Sequence, residues 1–116
     1  MGKPWALTKR VQYLSVYRKG TAYVGRLVVL KILANGLSYS RYGFSVSKKM
    51  GNAVRRNRIK RLLREVMRPR LQSIEPGWDM VFISRGNVRA ASYLQIEKAV
   101  TDLLAQAQLL RNSAEG

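Results

Sequence analysis

Residues 48–70 read KKMGNAVRRNRIKRLLREVMRPR, with ten Lys or Arg and a single acid, Glu65. That is +9 of the chain's net +16 within 23 positions. At helical spacing, Ile59, Leu62, Leu63 and Val66 fall on one face. Asn57, Arg61, Arg64 and Arg68 fall on the opposite one. The first face can dock on a core, and the second is a cationic strip with an amide in it. Such a strip repels itself when bare and is matched by a dense polyanion.

Working outward, Gly51-Asn52 forms a turn with Asn52 as the cap of this helix, and Pro69 stops the helix near Arg68. Upstream, the apolar, β-branched run Leu27–Leu33 reads as a strand. Asn35-Gly36 is a turn signal, and Arg41–Ser47 follows as the expected second arm of a hairpin. There Tyr42, Phe44 and Val46 alternate with Gly43, Ser45 and Ser47, so one face is bulky and the other small. A first helix is expected from Thr8 as cap to near Gly20, with Tyr13 and Tyr17 on one face. A short strand near Thr21–Val24 is allowed. Downstream, Glu75-Pro76-Gly77 is a loop, and Trp78–Ser84 is apolar on both faces, as a buried strand requires. Ser92 with Gln95 forms a capping box, and Ile96, Val100, Leu103 and Ala107 face one way on a closing helix. The order α-β-β-α-β-α implies a single α/β (α+β) domain over residues 1–116, a two-layer sandwich of helices on a mixed sheet. The ends, 1–7 and 111–116, are candidates for disorder.

Composition sets limits on chemistry. The 116 residues include no His and no Cys, which excludes imidazole acid–base catalysis, thiol nucleophiles and disulfides. Glu65, Glu75, Asp79, Glu97, Asp102 and Glu115 are scattered singly, and all six read as solvated surface acids. A two-metal nuclease needs its carboxylates clustered. No apolar run is long enough to span a bilayer, and the N-terminal stretch lacks the apolar segment of a secretory signal. Cytoplasmic residence with a nucleic-acid partner follows from this balance.

The run GFSVSKKMGNAVRRNRIKRLLRE resembles the signature of the protein subunit of bacterial ribonuclease P. The likeness includes Ser45-Val46-Ser47-Lys48-Lys49, the turn Gly51-Asn52, and Arg56-Asn57-Arg58 followed by Lys60 and Arg61. It extends to Tyr13–Tyr17 with Gly20, and to Asp79–Ile83 with Arg85, covering roughly Thr8 to Leu104. The resemblance implies a left-handed β-α-β crossover carrying the basic helix, against the general right-handed preference. It also implies a division of labour. A catalytic RNA subunit, holding the Mg2+ ions, hydrolyses the bond between the 5′ leader and mature tRNA. The protein binds that RNA and the leader of precursor tRNA, and needs neither a membrane nor an obligate protein partner.

Carried residue by residue, the resemblance assigns RNA-subunit binding to Lys48, Lys49, Asn52, Arg55, Arg56, Asn57, Arg58, Lys60, Arg61, Arg64 and Arg68. It assigns the leader to Tyr13, Tyr17, Lys31, Ser45 and Ser47, and no catalytic or metal-binding residue to this chain. The small face of Gly43, Ser45 and Ser47 leaves room for the leader beside the sheet, and Lys31 can reach a phosphate. The family often has an aromatic at the position of Lys31. Several assignments have plainer rivals. Tyr13 and Tyr17 also read as core aromatics with wet hydroxyls. Arg55 and Arg58 lie nearer the apolar side of the helix. Tyr39 and Tyr42 fit a hairpin surface or a core, and Trp78 fits packing. The competing function is a structural RNA-binding protein of the ribosomal type, which the ordered motif and the paired tyrosines disfavour.

Overall fold

A computed structural model describes residues 5–111. The elements are α1 (Arg10–Lys19), β1 (Thr21–Val24), β2 (Val28–Ala34), β3 (Arg41–Ser45), α2 (Ala53–Met67), β4 (Trp78–Ser84) and α3 (Tyr93–Gln106). Short 3-10 turns flank α2, at Lys48–Met50 and Arg68–Ser73, and another precedes α3.

Local chemistry accounts for most element ends. At the start of α1 the Gln12 side chain accepts from the Thr8 and Lys9 amides, both at 3.0 Å. The cap is therefore Lys9, one residue beyond the expected Thr8. At the other end, a Cβ on Gly20 would lie 2.5 Å from the Val16 carbonyl oxygen, so only glycine lets α1 run directly into β1. Asn52 Oδ1 accepts from the Arg55 amide at 3.0 Å and caps α2 as expected. The helix ends at Met67, and Arg68-Pro69 continues as a 3-10 turn. The Ser92–Gln95 capping box opens α3 with both reciprocal bonds formed. Asn52→Ala should cost about 1 kcal/mol of folding stability and Asn52→Gly only a few tenths. Equal denaturation midpoints for the alanine variant and the parent would show the cap to be idle.

The sheet is mixed, with strand order β1-β2-β4-β3. β1 and β2 form an antiparallel hairpin, β2 and β4 are antiparallel, and β3 runs parallel to β4. The expected hairpin of β2 with β3 is absent, because β4 lies between them. β4 is the strand with apolar side chains on both faces, and Met80, Val81 and Phe82 are at most 1% exposed. Such a strand belongs in the centre of a sheet, where both faces are covered. Asn35-Gly36 still turns the chain, with Gly36 at φ 72°, and Asn35 Oδ1 accepting from the Leu37 amide at 2.8 Å. The segment after it then passes beyond β4 to place β3 at the far edge. α2 thus sits in the crossover between the parallel strands β3 and β4.

Asp79 is not a solvated surface acid. It is 5% exposed, and Arg41 grips it through both oxygens, Nε at 2.8 Å and Nη2 at 2.7 Å. Asn35 Nδ2 adds a bond at 2.9 Å. This bidentate pair pushes the Arg41 guanidinium further up from its ordinary value and clamps β3 onto β4. Glu97 is likewise engaged, half-buried against Arg70, and so ties the chain after α2 to α3.

α2 and α3 cover one face of the sheet. Leu30, Met80 and Phe82 meet Leu63 and Val66 of α2 and Ile96, Val100 and Leu104 of α3 there. α1 lies alone across the other face, with Leu7, Val16 and Val81 buried and Tyr13, Tyr17, Leu33 and Ile83 packed around them. Residues 5–7 extend the β3 edge. Leu7 N donates to the Tyr42 carbonyl at 2.9 Å, and Ala6 bridges to Tyr42. At the other end Arg111 N donates to the Ser73 carbonyl at 2.7 Å. The remaining parts of both ends, 1–4 and 112–116, lie outside the described residues. Among the described residues no helix is long and apolar enough to cross a membrane.

Candidate nucleic-acid interface

The amphipathic reading of α2 places its two faces correctly. Ile59, Leu63, Val66 and Met67 are buried, and Leu62 packs at their edge. Asn57, Arg58, Arg61, Arg64 and Arg68 are exposed, as are Lys48, Lys49, Asn52 and Arg55 at the helix start. Two expected contacts are less free. Arg56 is half-buried with Nε on the Gly51 carbonyl at 3.2 Å, so part of its guanidinium holds the turn, and Lys60 is half-buried. Arg55 and Arg58 are exposed but lie toward the apolar side of α2, as expected. With Met50, Ile59 and Arg89 they line a recess of about 250 Å³. Arg89 has no signal in the sequence, because only the turn before α3 brings it beside α2.

The distribution of acids sharpens the picture. The ion pairs are Arg41–Asp79, Arg70–Glu97, Lys98–Asp102 and the looser Arg111–Glu75. None uses a cation from Lys48 to Arg68. Among the described residues Lys48, Lys49, Arg55, Arg56, Arg58, Lys60, Arg61, Arg64 and Arg68 have no carboxylate at salt-bridge distance. Four of the five carboxylates among the described residues serve elsewhere, and this surface keeps most of its field for a polyanion. The strip reaches the edge strand β3. Burial raises the Tyr42 hydroxyl's pKa, while Arg64 and Arg68 pull it back down.

On the opposite face, Tyr13 and Tyr17 stand side by side with ring centroids 6.5 Å apart, both half-buried. The small strand face does not simply leave space. A Cβ on Gly43 would lie 2.2 Å from the Tyr13 hydroxyl oxygen, so the Tyr13 ring itself fills that space. Burial and the neighbouring Tyr17 hold the Tyr13 hydroxyl above its ordinary pKa, which keeps it uncharged at neutral pH. Ser45 remains half-buried on the same face, opposite Ile83. Ser47 has left the strand and stands at the start of the turn Lys48–Met50, exposed beside the cations rather than beside Ser45. Lys31 also sits differently from expectation. Its Nζ donates to the Tyr17 carbonyl at 2.7 Å and lies 6.0 Å from the centre of that ring. It therefore anchors the last turn of α1, with two further N–H donors to offer. Both tyrosines pack around the Leu7, Val16 and Val81 cluster, Tyr13 with its hydroxyl over Gly43 and Tyr17 with its ring beneath the Lys31 ammonium.

Comparison with known proteins gives a consistent result. The family model described as Ribonuclease P matches residues 1–108. The ribonuclease P protein component of Dehalococcoides mccartyi is 45% identical over 109 residues, covering 94% of this chain and 89% of the relative. That of Clostridium botulinum is 37% identical over 119 residues, covering 97% and 95%. The solved RNase P protein of Staphylococcus aureus superposes with a TM-score of 0.86 at 32% identity, covering 94% of this chain and 100% of that one. The RNase P protein from Thermotoga maritima gives 0.80 at 30% identity, covering 87% and 96%.

Proposed function

This chain belongs to the family of ribonuclease P protein components, and on that premise we propose how its two surfaces divide the work. It is the protein component of a tRNA-processing enzyme, and its place in that enzyme implies an RNA partner. The α2 strip, with Lys48, Lys49, Asn52 and the turn between them, binds the catalytic RNA subunit. The groove between α1 and the sheet takes the single-stranded 5′ leader of precursor tRNA, with Tyr17 offering a stacking face and Lys31 and Ser45 beside it. The RNA cleaves the phosphodiester that joins leader to mature tRNA. The protein contributes by positioning the leader and by screening repulsion between two RNAs.

No side chain of this protein acts on the scissile bond. Mg2+, held mainly by the RNA subunit, supplies the charge stabilisation for hydrolysis when bound. Among the described residues no three His, Cys, Asp or Glu side chains come together. The assembly works in the cytoplasm and needs no further protein subunit.

The observation that carries this reading is the row of nine cations from Lys48 to Arg68 that have no carboxylate at salt-bridge distance among the described residues. The test is reconstitution. At low magnesium, purified protein with a bacterial ribonuclease P RNA should cleave precursor tRNA, and neither component alone should. RNA-free protein that cleaves, and loses the activity on a point mutation, would overturn the division of labour. So would a protein that leaves cleavage by the RNA unchanged.

A further inference from the structure

Beyond the end of the cationic strip lies a recess of about 270 Å³ that the leader groove and the α2 surface leave unused. Trp5, Tyr39 and Tyr42 stand around it, Ile74 and Met80 contribute apolar surface, and Gln72 sits exposed at its rim. Two of these aromatics are wet in the free protein: Trp5 is 39% exposed and Tyr39 38%. The recess is below the size that drug-like ligands occupy, about 300–1,000 Å³, and suits a single flat heterocycle. Its wall is held firmly. Ser40 Oγ donates to the Glu75 carbonyl at 2.6 Å and accepts from the Trp78 amide at 2.9 Å, so this lining residue is already satisfied.

Charge selects the occupant. Arg64 and Arg68 act electrostatically on Tyr42, and Arg111 lines the recess, with its own acid Glu75 only loosely engaged at 3.9 Å. An apolar, aromatic hollow with a cationic border suits a molecule that pairs a flat ring with a phosphate. Arg64 and Arg68 belong to the strip assigned to the RNA subunit and act on Tyr42 of the lining, so an RNA backbone lying on them comes near the hollow.

We infer that this recess receives one unpaired nucleobase of the RNA bound by α2, stacked on the Trp5–Tyr39 wall with its polar edge toward the Gln72 amide. The amide both donates and accepts, as a base edge requires. This inference rests on the RNA-binding reading of α2.

The test is RNA-subunit affinity measured across a salt series. Tyr39→Leu keeps bulk but removes the π-face, and should weaken binding about 5- to 160-fold at every salt concentration. The slope of log affinity against log salt should not change, because stacking releases no counterions. Trp5→Phe keeps a ring and should lose less than Trp5→Leu. Arg64→Ala, run in parallel, should flatten the slope. If Arg64→Ala flattens it while Tyr39→Leu and Trp5→Leu bind like the parent, the base site is wrong and the RNA strip stands. If none of them changes binding, the RNA reading of α2 fails with it. A Tyr39→Leu loss accompanied by a flatter slope, or confined to precursor tRNA carrying a leader, also overturns the assignment. Thermal melts of each leucine variant separate these outcomes from misfolding: a leucine variant that melts with the parent but binds weakly supports the site. One that binds weakly only because it is unfolded removes its support, and Gln72→Ala then decides. This exposed substitution should weaken binding at an unchanged slope, and parental binding would overturn the site.

Discussion

Converting Arg61, Arg64 and Arg68 together to alanine should lower the salt slope of RNA-subunit binding by about two to three units. Each lost phosphate contact removes about 0.7–0.9 from the log–log slope, depending on whether the RNA strand is paired. The three side chains are exposed on one side of α2, and none has a carboxylate partner among the described residues. Their removal therefore breaks no ion pair and opens no cavity. Folding stability should hold or rise as self-repulsion falls. Affinity at moderate salt should fall steeply, and the gap to the parent should close as salt increases, since the lost contribution is the salt-sensitive one. An unchanged slope in a folded triple variant would mean that the strip faces solvent in the complex. Arg58→Ala is a useful contrast. Its side chain joins Arg55 and Arg89 around a separate recess. A similar slope change there would widen the RNA footprint toward the turn before α3.

What the chain reveals without its fold is mostly local. The Asn52 cap, the Ser92–Gln95 box and the stop at Pro69 each depend on residues within one turn of one another, and each appears in the structure. The two faces of α2 follow from helical period alone. The span Trp78–Ser84 agrees as well, because a strand covered on both faces leaves a continuous apolar run. The errors have a common cause: they concern which distant segment occupies a place. Asn35-Gly36 signals a turn but not its destination, and the competition of β4 for the central slot decides the sheet order. Alternation along β3 correctly makes Gly43 small, yet period two says nothing about what fills the space, and Tyr13 does. Asp79 looks like any isolated acid until Arg41 is found beside it across the parallel pair. The candidate site divides in the same way. The cations on α2 are legible from sequence, but Arg89 and the Trp5–Tyr39–Tyr42 hollow come together only in three dimensions.

Tyr17→Ala should reduce affinity for leader-bearing precursor tRNA about 5- to 160-fold in the reconstituted enzyme, while affinity for mature tRNA stays the same. One base–aromatic stack is worth about 1–3 kcal/mol, and mature tRNA has no leader to lose it. Truncation removes the ring beneath the Lys31 ammonium and its edge of the α1 packing, so a thermal melt accompanies the binding measurement. Lys31 binds the Tyr17 backbone carbonyl rather than the phenol, so the anchor on the last turn of α1 survives the truncation. Tyr17→Phe keeps the ring and should be mild. Tyr13→Ala should behave differently, because its ring, unlike that of Tyr17, fills the space over Gly43 on β3. Losing it removes packing on the α1 face, so stability should fall and both RNAs should bind less well. The two tyrosines share a helix face but are predicted to separate into a reader of the leader and a support for it. Equal losses for both RNAs with Tyr17→Ala, or a melting temperature that drops as far as that of Tyr13→Ala, would make Tyr17 a packing residue and remove the stacking face from the groove.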